Sequence, residues 1–293
     1  MKSFMIAVLT VLGQLLSAQW GAKLRDMPRY RRRALGYRLP IEPMHWRKRL
    51  ALGLPLLPIA GAATDTVQFG RVEKFEDFLV TALADMPEID TQSVTGGGNA
   101  IVSGGADGRL RIDVAATNDD DVGAITFGAL QWTAGDDLYM EARIFLSSIV
   151  DNKYFVGFGD TVATTDETTF SATTDTITLD TMSDAIGILY DEDSTTKVLW
   201  AVAGATDAVT ANKALAARLK PVADTALTLG VYLSSDRKSA QWYVNGEEVY
   251  RLDSATVLVA AVDLVPGVWA YEQATAFNLD IDYLYGRKSR STA

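Results

Sequence analysis

The side chains that could do chemistry in this 293-residue chain are unevenly supplied. It has no cysteine and a single histidine, His45. Thiolate nucleophiles, disulfides, histidine-based triads in the body and multi-histidine metal sites are therefore ruled out. Carboxylates are plentiful, and their densest groups, Asp119-Asp120-Asp121 and Asp191-Glu192-Asp193, fall in turn-like settings. A solvated loop is the plain reading of both. Asp160, Asp191 and Asp193 brought together would offer hard oxygen ligands suited to calcium, the one cofactor for which the sequence suggests a place. The runs Gly96-Gly97-Gly98 and Gly104-Gly105 lack the lysine and following helix of a phosphate loop and read as a flexible hairpin.

Cationic chemistry is concentrated at one end. From Met1 to Ala63 there are 11 Lys and Arg against 2 acidic residues, a net of +9, whereas the remaining residues carry 16 against 35, a net of −19. Arg29, Arg31, Arg32, Arg33, Arg38, Arg47, Lys48 and Arg49, interleaved with Tyr30, Tyr37 and Trp46, have two functional readings beside that of a merely solvated tail. They could line a nucleic-acid backbone, or form forked hydrogen bonds to carboxylates on a protein lattice. The apolar stretch Leu50–Ile59, with Leu54, Leu56 and Leu57, favours the protein lattice, because nucleic acid offers no matching apolar surface. Its bland alternative is an edge piece folded onto its own body.

Five of the eight prolines, Pro28, Pro40, Pro43, Pro55 and Pro58, punctuate the same region, so it is expected to run extended. Stretched out, 63 residues reach up to about 210 Å, enough to cross a neighbouring subunit. At its start, Lys2 and the apolar run Phe4–Leu16 have the outline of a secretory signal, but a cut after Ala18 would place Leu16 where a small residue is wanted. Ser3, Thr10, Gln14 and Ser17 draw a polar stripe at helical spacing, which predicts a retained docking helix. A membrane anchor is disfavoured because the run is shorter than the roughly 20 apolar residues a span needs.

These residues need a scaffold, and the pattern that supplies it begins near Val67. Short runs with strand character are expected at residues 109–114, 138–146, 155–159, 185–190, 198–202, 227–233, 241–244, 248–252, 268–271 and 277–285. In the run from Tyr139 to Phe145, Glu141 and Arg143 alternate with apolar neighbours, as in a strand with one wet face. Asn245-Gly246 tolerates the positive φ angles of a tight primed turn, so the strands on either side should fold back on each other. Residues 211–219 form the one helical candidate, ended by Pro221.

The expected fold class is thus mainly β: a two-sheet antiparallel sandwich over residues 64–293, preceded by the basic, proline-rich arm over residues 1–63. The segments EARIFLSS (Glu141–Ser148), YFVGFGDT (Tyr154–Thr161), AIGILYDEDSTTKVLWAVAG (Ala185–Gly204), WYVNGEEV (Trp242–Val249) and LDIDYLYG (Leu279–Gly286) resemble the concanavalin A-like, laminin-G-like jelly rolls found in virion proteins of tailed bacteriophages.

The resemblance implies a jelly roll on a virion, and with the arm it points to a capsid decoration (cement) protein. Its partner would be the major capsid protein lattice, and a trimer would be a reasonable assembly, although no residue selects it over a dimer. Glucanases of this superfamily place Glu-x-Asp-x-x-Glu on one strand to hold an acid and a nucleophile about 5 to 5.5 Å apart, a spacing absent here, so no catalysis is expected. The alternative is a glycan-binding module of a head or tail fibre, with Trp132, Trp200 and Trp269 as contacts. Trp242 is a further tryptophan, but its place in an alternating strand reads as core.

Overall fold

The structure, a computed structural model, describes residues 71–79, 85, 86, 89–93, 98–102, 108–114, 122–128, 132–160, 170–179, 182–206, 208–253, 257, 258, 262–273 and 275–289. All lie within the unit Thr66–Ala293. The expected docking helix and the arm, with Arg29, Arg31, Arg32, Arg33, Arg38, Trp46, Arg47, Lys48, Arg49, Leu54, Leu56 and Leu57, lie outside the described residues.

Strands are numbered in chain order. The first sheet runs β16 (Glu247–Asp253), β15 (Ser239–Val244), β14 (Leu227–Leu233), β7 (Leu138–Leu146), β18 (Phe277–Ser289), β4 (Leu110–Val114) and β3 (Gly98–Ile101). β1 (Arg71–Glu76) pairs with the far end of β18, Arg71 opposite Ser289. The second sheet runs β13 (Ala208–Ala214), β12 (Leu199–Ala205), β11 (Ala185–Asp191), β8 (Asn152–Gly159), β17 (Asp263–Glu272), β5 (Val122–Thr126) and β2 (Asp90–Ser93), with β6 (Trp132–Thr133) on the end of β17. A separate hairpin, β9 (Phe170–Thr173) and β10 (Thr176–Leu179), belongs to neither. All pairings are antiparallel, and the two sheets form a jelly-roll-type sandwich.

Alternation in the first sheet decides which side faces the core. Leu138, Met140, Ala142, Ile144 and Leu146 of β7 point inward and are buried, while Tyr139, Arg143 and Phe145 on the other side are half-buried. Opposite them, Tyr154, Val156 and Phe158 of β8 and Ile186 and Ile188 of β11 close the core. Trp242 is buried there as expected, its indole Nε1 donating to the Gly187 carbonyl of the second sheet at 2.7 Å. The Asn-Gly turn forms as the sequence requires: Asn245 has φ 52° and Gly246 φ 82°, and the Asn245 side-chain oxygen accepts from Thr228 N at 3.0 Å.

One expected element differs. Instead of a helix over residues 211–219, the chain forms edge strand β13 followed by a single 3-10 turn, Ala217–Leu219. Pairing with β12 wins over local helix propensity because it buries Ala211 and Leu215 in the core, and a register shift at Ala203/Gly204 lets the strand follow the sheet. No helix among the described residues is long and apolar enough to cross a membrane.

Candidate functional site

The second sheet departs from simple alternation. β8, β11 and β12 are buried at every position, so both of their faces are covered. On the outer face Phe155, Leu189, Trp200, Val202, Val265 and Trp269 form a second apolar cluster with Phe170, Ala172 and Ile177 of the β9–β10 hairpin. The Phe155 ring packs 5.6 Å from both Phe170 and Trp269. It lies flat because Gly157 and Gly187 have no Cβ: one added at either would sit 2.7 Å from the ring. The hairpin comes down at Gly204 in the same way, where a Cβ would meet Leu179 Cδ2 at 2.6 Å.

Two buried polar groups latch this cover. Asp191 accepts from Ala172 N at 2.8 Å through one oxygen, and from Gln273 Nε2 at 2.7 Å and Asp193 N at 3.0 Å through the other. Lys153, opposite Asp191 in the β8–β11 register, donates to Ser171 Oγ at 2.8 Å with its ammonium 5.1 Å from the Tyr271 ring centre. Burial, and then the neighbouring Asp191, pushes the Asp193 carboxyl above its ordinary range.

This arrangement corrects two expectations. Trp132, Trp200 and Trp269 are 1%, 6% and 0% exposed, so none is a surface platform for a sugar ring. Trp132 packs in the main core beside Phe158, and the other two lie in the cluster that the hairpin completes. The calcium trio does not assemble either. Asp160 accepts from Ser183 Oγ at 2.6 Å and Asp184 N at 3.1 Å, at the end of β11 away from Asp191, about 20 Å along the strand. Asp191 spends both oxygens on the hairpin latch and its neighbours, and no group of three or more carboxylates or histidines among the described residues could hold a metal.

The outer face of the first sheet is of another kind. Glu141 accepts from the hydroxyls of Tyr139 at 2.7 Å and Tyr283 at 2.6 Å, and Tyr139 packs edge-on to Tyr243 and Tyr285. Arg111 makes a forked pair with Asp280 at 2.6 and 3.0 Å, which raises its already high pKa, and Arg143 meets Asp282 at 2.8 Å. Arg109 stacks 3.8 Å from the Phe145 ring centre, and Arg287 lies 5.4 Å from that of Tyr139. The Tyr232 hydroxyl donates to Asp137, and burial, followed by that hydrogen bond, pushes its phenol up to about 12.

A bulge between Ile281 and Tyr283 builds part of this network by turning the outward side of β18 through one extra residue. Sequence reasoning marked Glu141 and Arg143 as a wet face but missed the tyrosines. Their signal was the recurrence of Tyr139, Tyr232, Tyr243 and Tyr285 at outward positions of four strands that prove to be neighbours.

No protein-family model matches the chain, and a search of curated proteins returns no match. Among solved structures, a protein of unknown function from Shewanella oneidensis MR-1 superposes with TM-score 0.56 at 13% identity, covering 87% of this chain and 97% of that one. The two share a fold. Peanut lectin, solved with a nine-residue peptide, gives TM-score 0.49 at 13% identity over 76% of this chain and 99% of that one. Bacillus licheniformis β-glucanase gives 0.46 at 14% identity over 75% and 98%. The expected virion placement has no counterpart in these structures.

Proposed function

We propose that this chain is a non-catalytic structural protein of a phage virion, a capsid decoration protein whose arm binds the major capsid protein lattice and whose sandwich stands on the outer surface. The observation that carries the reading is the division of charge, +9 over residues 1–63 against −19 over the rest. An acidic body is repelled by an acidic shell, so attachment falls to the arm, through Arg and Lys pairing with carboxylates and through Leu50–Ile59. The covered outer face of the second sheet fits this division of labour, because it leaves the sandwich a rigid body with its tryptophans inside.

Deleting Met1–Ala63 should leave a folded β protein that no longer joins particles of the encoding phage. Replacing Arg31, Arg32 and Arg33 by alanine should weaken attachment and make it less sensitive to salt. Truncated protein at wild-type occupancy would overturn the reading.

A second reading, a glycan-binding module, is favoured by one observation: the indole N–H groups of Trp200 and Trp269 are buried and find no acceptor among the described residues. Lifting the hairpin would offer both donors and an aromatic row to a hydroxyl-rich ligand. The discriminating measurement is a glycan array with wild type and Asp191→Ala, whose latch is broken. Binding that rises in the variant supports the module, and silence from both leaves the structural role.

A further inference from the structure

We propose that the outer face of the first sheet is the contact between two copies of this chain, packed face to face about a two-fold axis. The inference does not depend on the virion reading. Across β15, β14, β7, β18 and β4 the face is about 24 Å wide and about 30 Å long, some 700 Å² per protomer, close to the ~800 Å² a stable interface takes from each partner. Tyrosine and arginine, both enriched at interfaces, are prominent on it beside Glu141, Asp280 and Asp282, and no lysine points outward on β7, β14 or β15.

Charge singles out the occupant. A second copy carries the same −19 over its body and is repelled wherever carboxylates dominate. On this face Arg111 pairs with Asp280 and Arg143 with Asp282, while Arg109 and Arg287 lie over the Phe145 and Tyr139 rings. Tyr232 and Tyr243 are half-buried, and their hydroxyls are already held by Asp137 and Gln241. Side chains fixed before contact lose little freedom on association, which lowers the cost of binding. A two-fold axis satisfies both partners with one patch, because tyrosine edges and paired charges are self-complementary.

The chain has no cysteine, so single-cysteine variants report contacts without background. In the full chain, Thr228→Cys and Gln241→Cys, both on this face, should give covalent dimers with a short bismaleimide. Thr178→Cys, exposed on the hairpin over the other sheet, should not. Sedimentation of wild type should show a dimer, and Tyr232→Glu with Tyr243→Glu should raise its dissociation constant by about 100-fold or more. If that double variant does not fold, Gln241→Arg at the same face carries the same expectation, with a smaller shift. A monomeric wild type, or a dimer that persists in these variants and cross-links through Thr178→Cys, would overturn the proposal.

Discussion

The outer faces of the two sheets are built from the same backbone alternation and end in opposite states. The first sheet turns Tyr139, Glu141, Arg143 and Tyr243 outward and ties them into hydrogen bonds and ion pairs. The second turns Phe155, Leu189, Trp200 and Trp269 outward and covers them with ten residues of hairpin inserted between β8 and β11. What separates a surface from a core here is an inserted element, held by two polar latches and a floor of glycines. The covered face is held by packing, where a misplaced carbon has nowhere to go. The wet face is held by polar pairs whose energies solvent largely cancels.

That contrast can be broken most violently at the glycine floor. In Gly157→Val the new Cβ would lie 2.2 Å from the Ile186 carbonyl oxygen and 2.7 Å from the Phe155 ring, and the first of these is backbone that cannot move aside. We expect a loss of more than about 4 kcal/mol, read as insoluble protein or a collapsed urea midpoint. Trp269→Ala empties the centre of the covered face and should cost about 3 to 5 kcal/mol in the same measurement. A midpoint within error of wild type for either variant would mean that the hairpin does not seal this face.

Asp191→Ala sharpens the comparison without touching the apolar seat. Ala172 N and Gln273 Nε2 lose their acceptor, so a loss of about 1 to 3 kcal/mol is expected. Hydrogen exchange should speed first at the Ala172 amide, while the β7 and β14 amides keep wild-type protection. Uniform acceleration across both sheets would show that the hairpin is not a separate unit.

On the wet face the effects should be small. Arg111→Ala removes the partly exposed arginine of an ion pair whose Asp280 is buried, but Arg109 lies 3.9 Å from the same carboxylate, so a loss of about 1 kcal/mol is expected in denaturant melts. Tyr232 adds a pH signature. Its folded-state phenol is raised to about 12 from an ordinary value near 10, so the folded protein holds this proton more tightly than the unfolded chain does. That contribution is intact below pH 10 and is lost as pH climbs through 12. Tyr232→Phe should flatten the decline in stability over this window. A residual slope is expected from Tyr190, raised to about 12 chiefly by burial.

Local sequence pattern reached the first sheet because one of its faces stays wet. Residues 138–146 and 227–233 read as strands to the residue, and Asn245-Gly246 placed a turn that the backbone adopts. The same reasoning failed where burial is imposed from a distance. Trp200 and Trp269 lie in strands without a polar alternate, and that missing alternation was the available sign of a second covering layer. The cover itself is hidden in the threonine-rich stretch from Thr161 to Thr181, where the inward residues among those described, Phe170, Ala172, Ile177 and Leu179, are too few to register as periodicity. Residues 211–219 carry helix formers such as Ala211, Ala214 and Leu215, and only the pairing with β12 shows that their first part belongs to strand β13. Asp160 and Asp191 both offer loop carboxylates as hard oxygen ligands, but antiparallel register sends them to opposite ends of β11.

Hydroxyl-radical footprinting with residue-level mass spectrometry tests the distinction between the two faces most directly. Trp132, Trp200, Trp242 and Trp269 should be protected in the native protein and react only on unfolding, although indole is the more reactive ring. Tyr232 and Tyr243 should label readily in dilute protein and lose that labelling at concentrations where two copies pair. Native-state oxidation of Trp200 or Trp269 at the rate of an exposed indole would contradict the account, because the face held to be sealed by the β9–β10 hairpin would then be open.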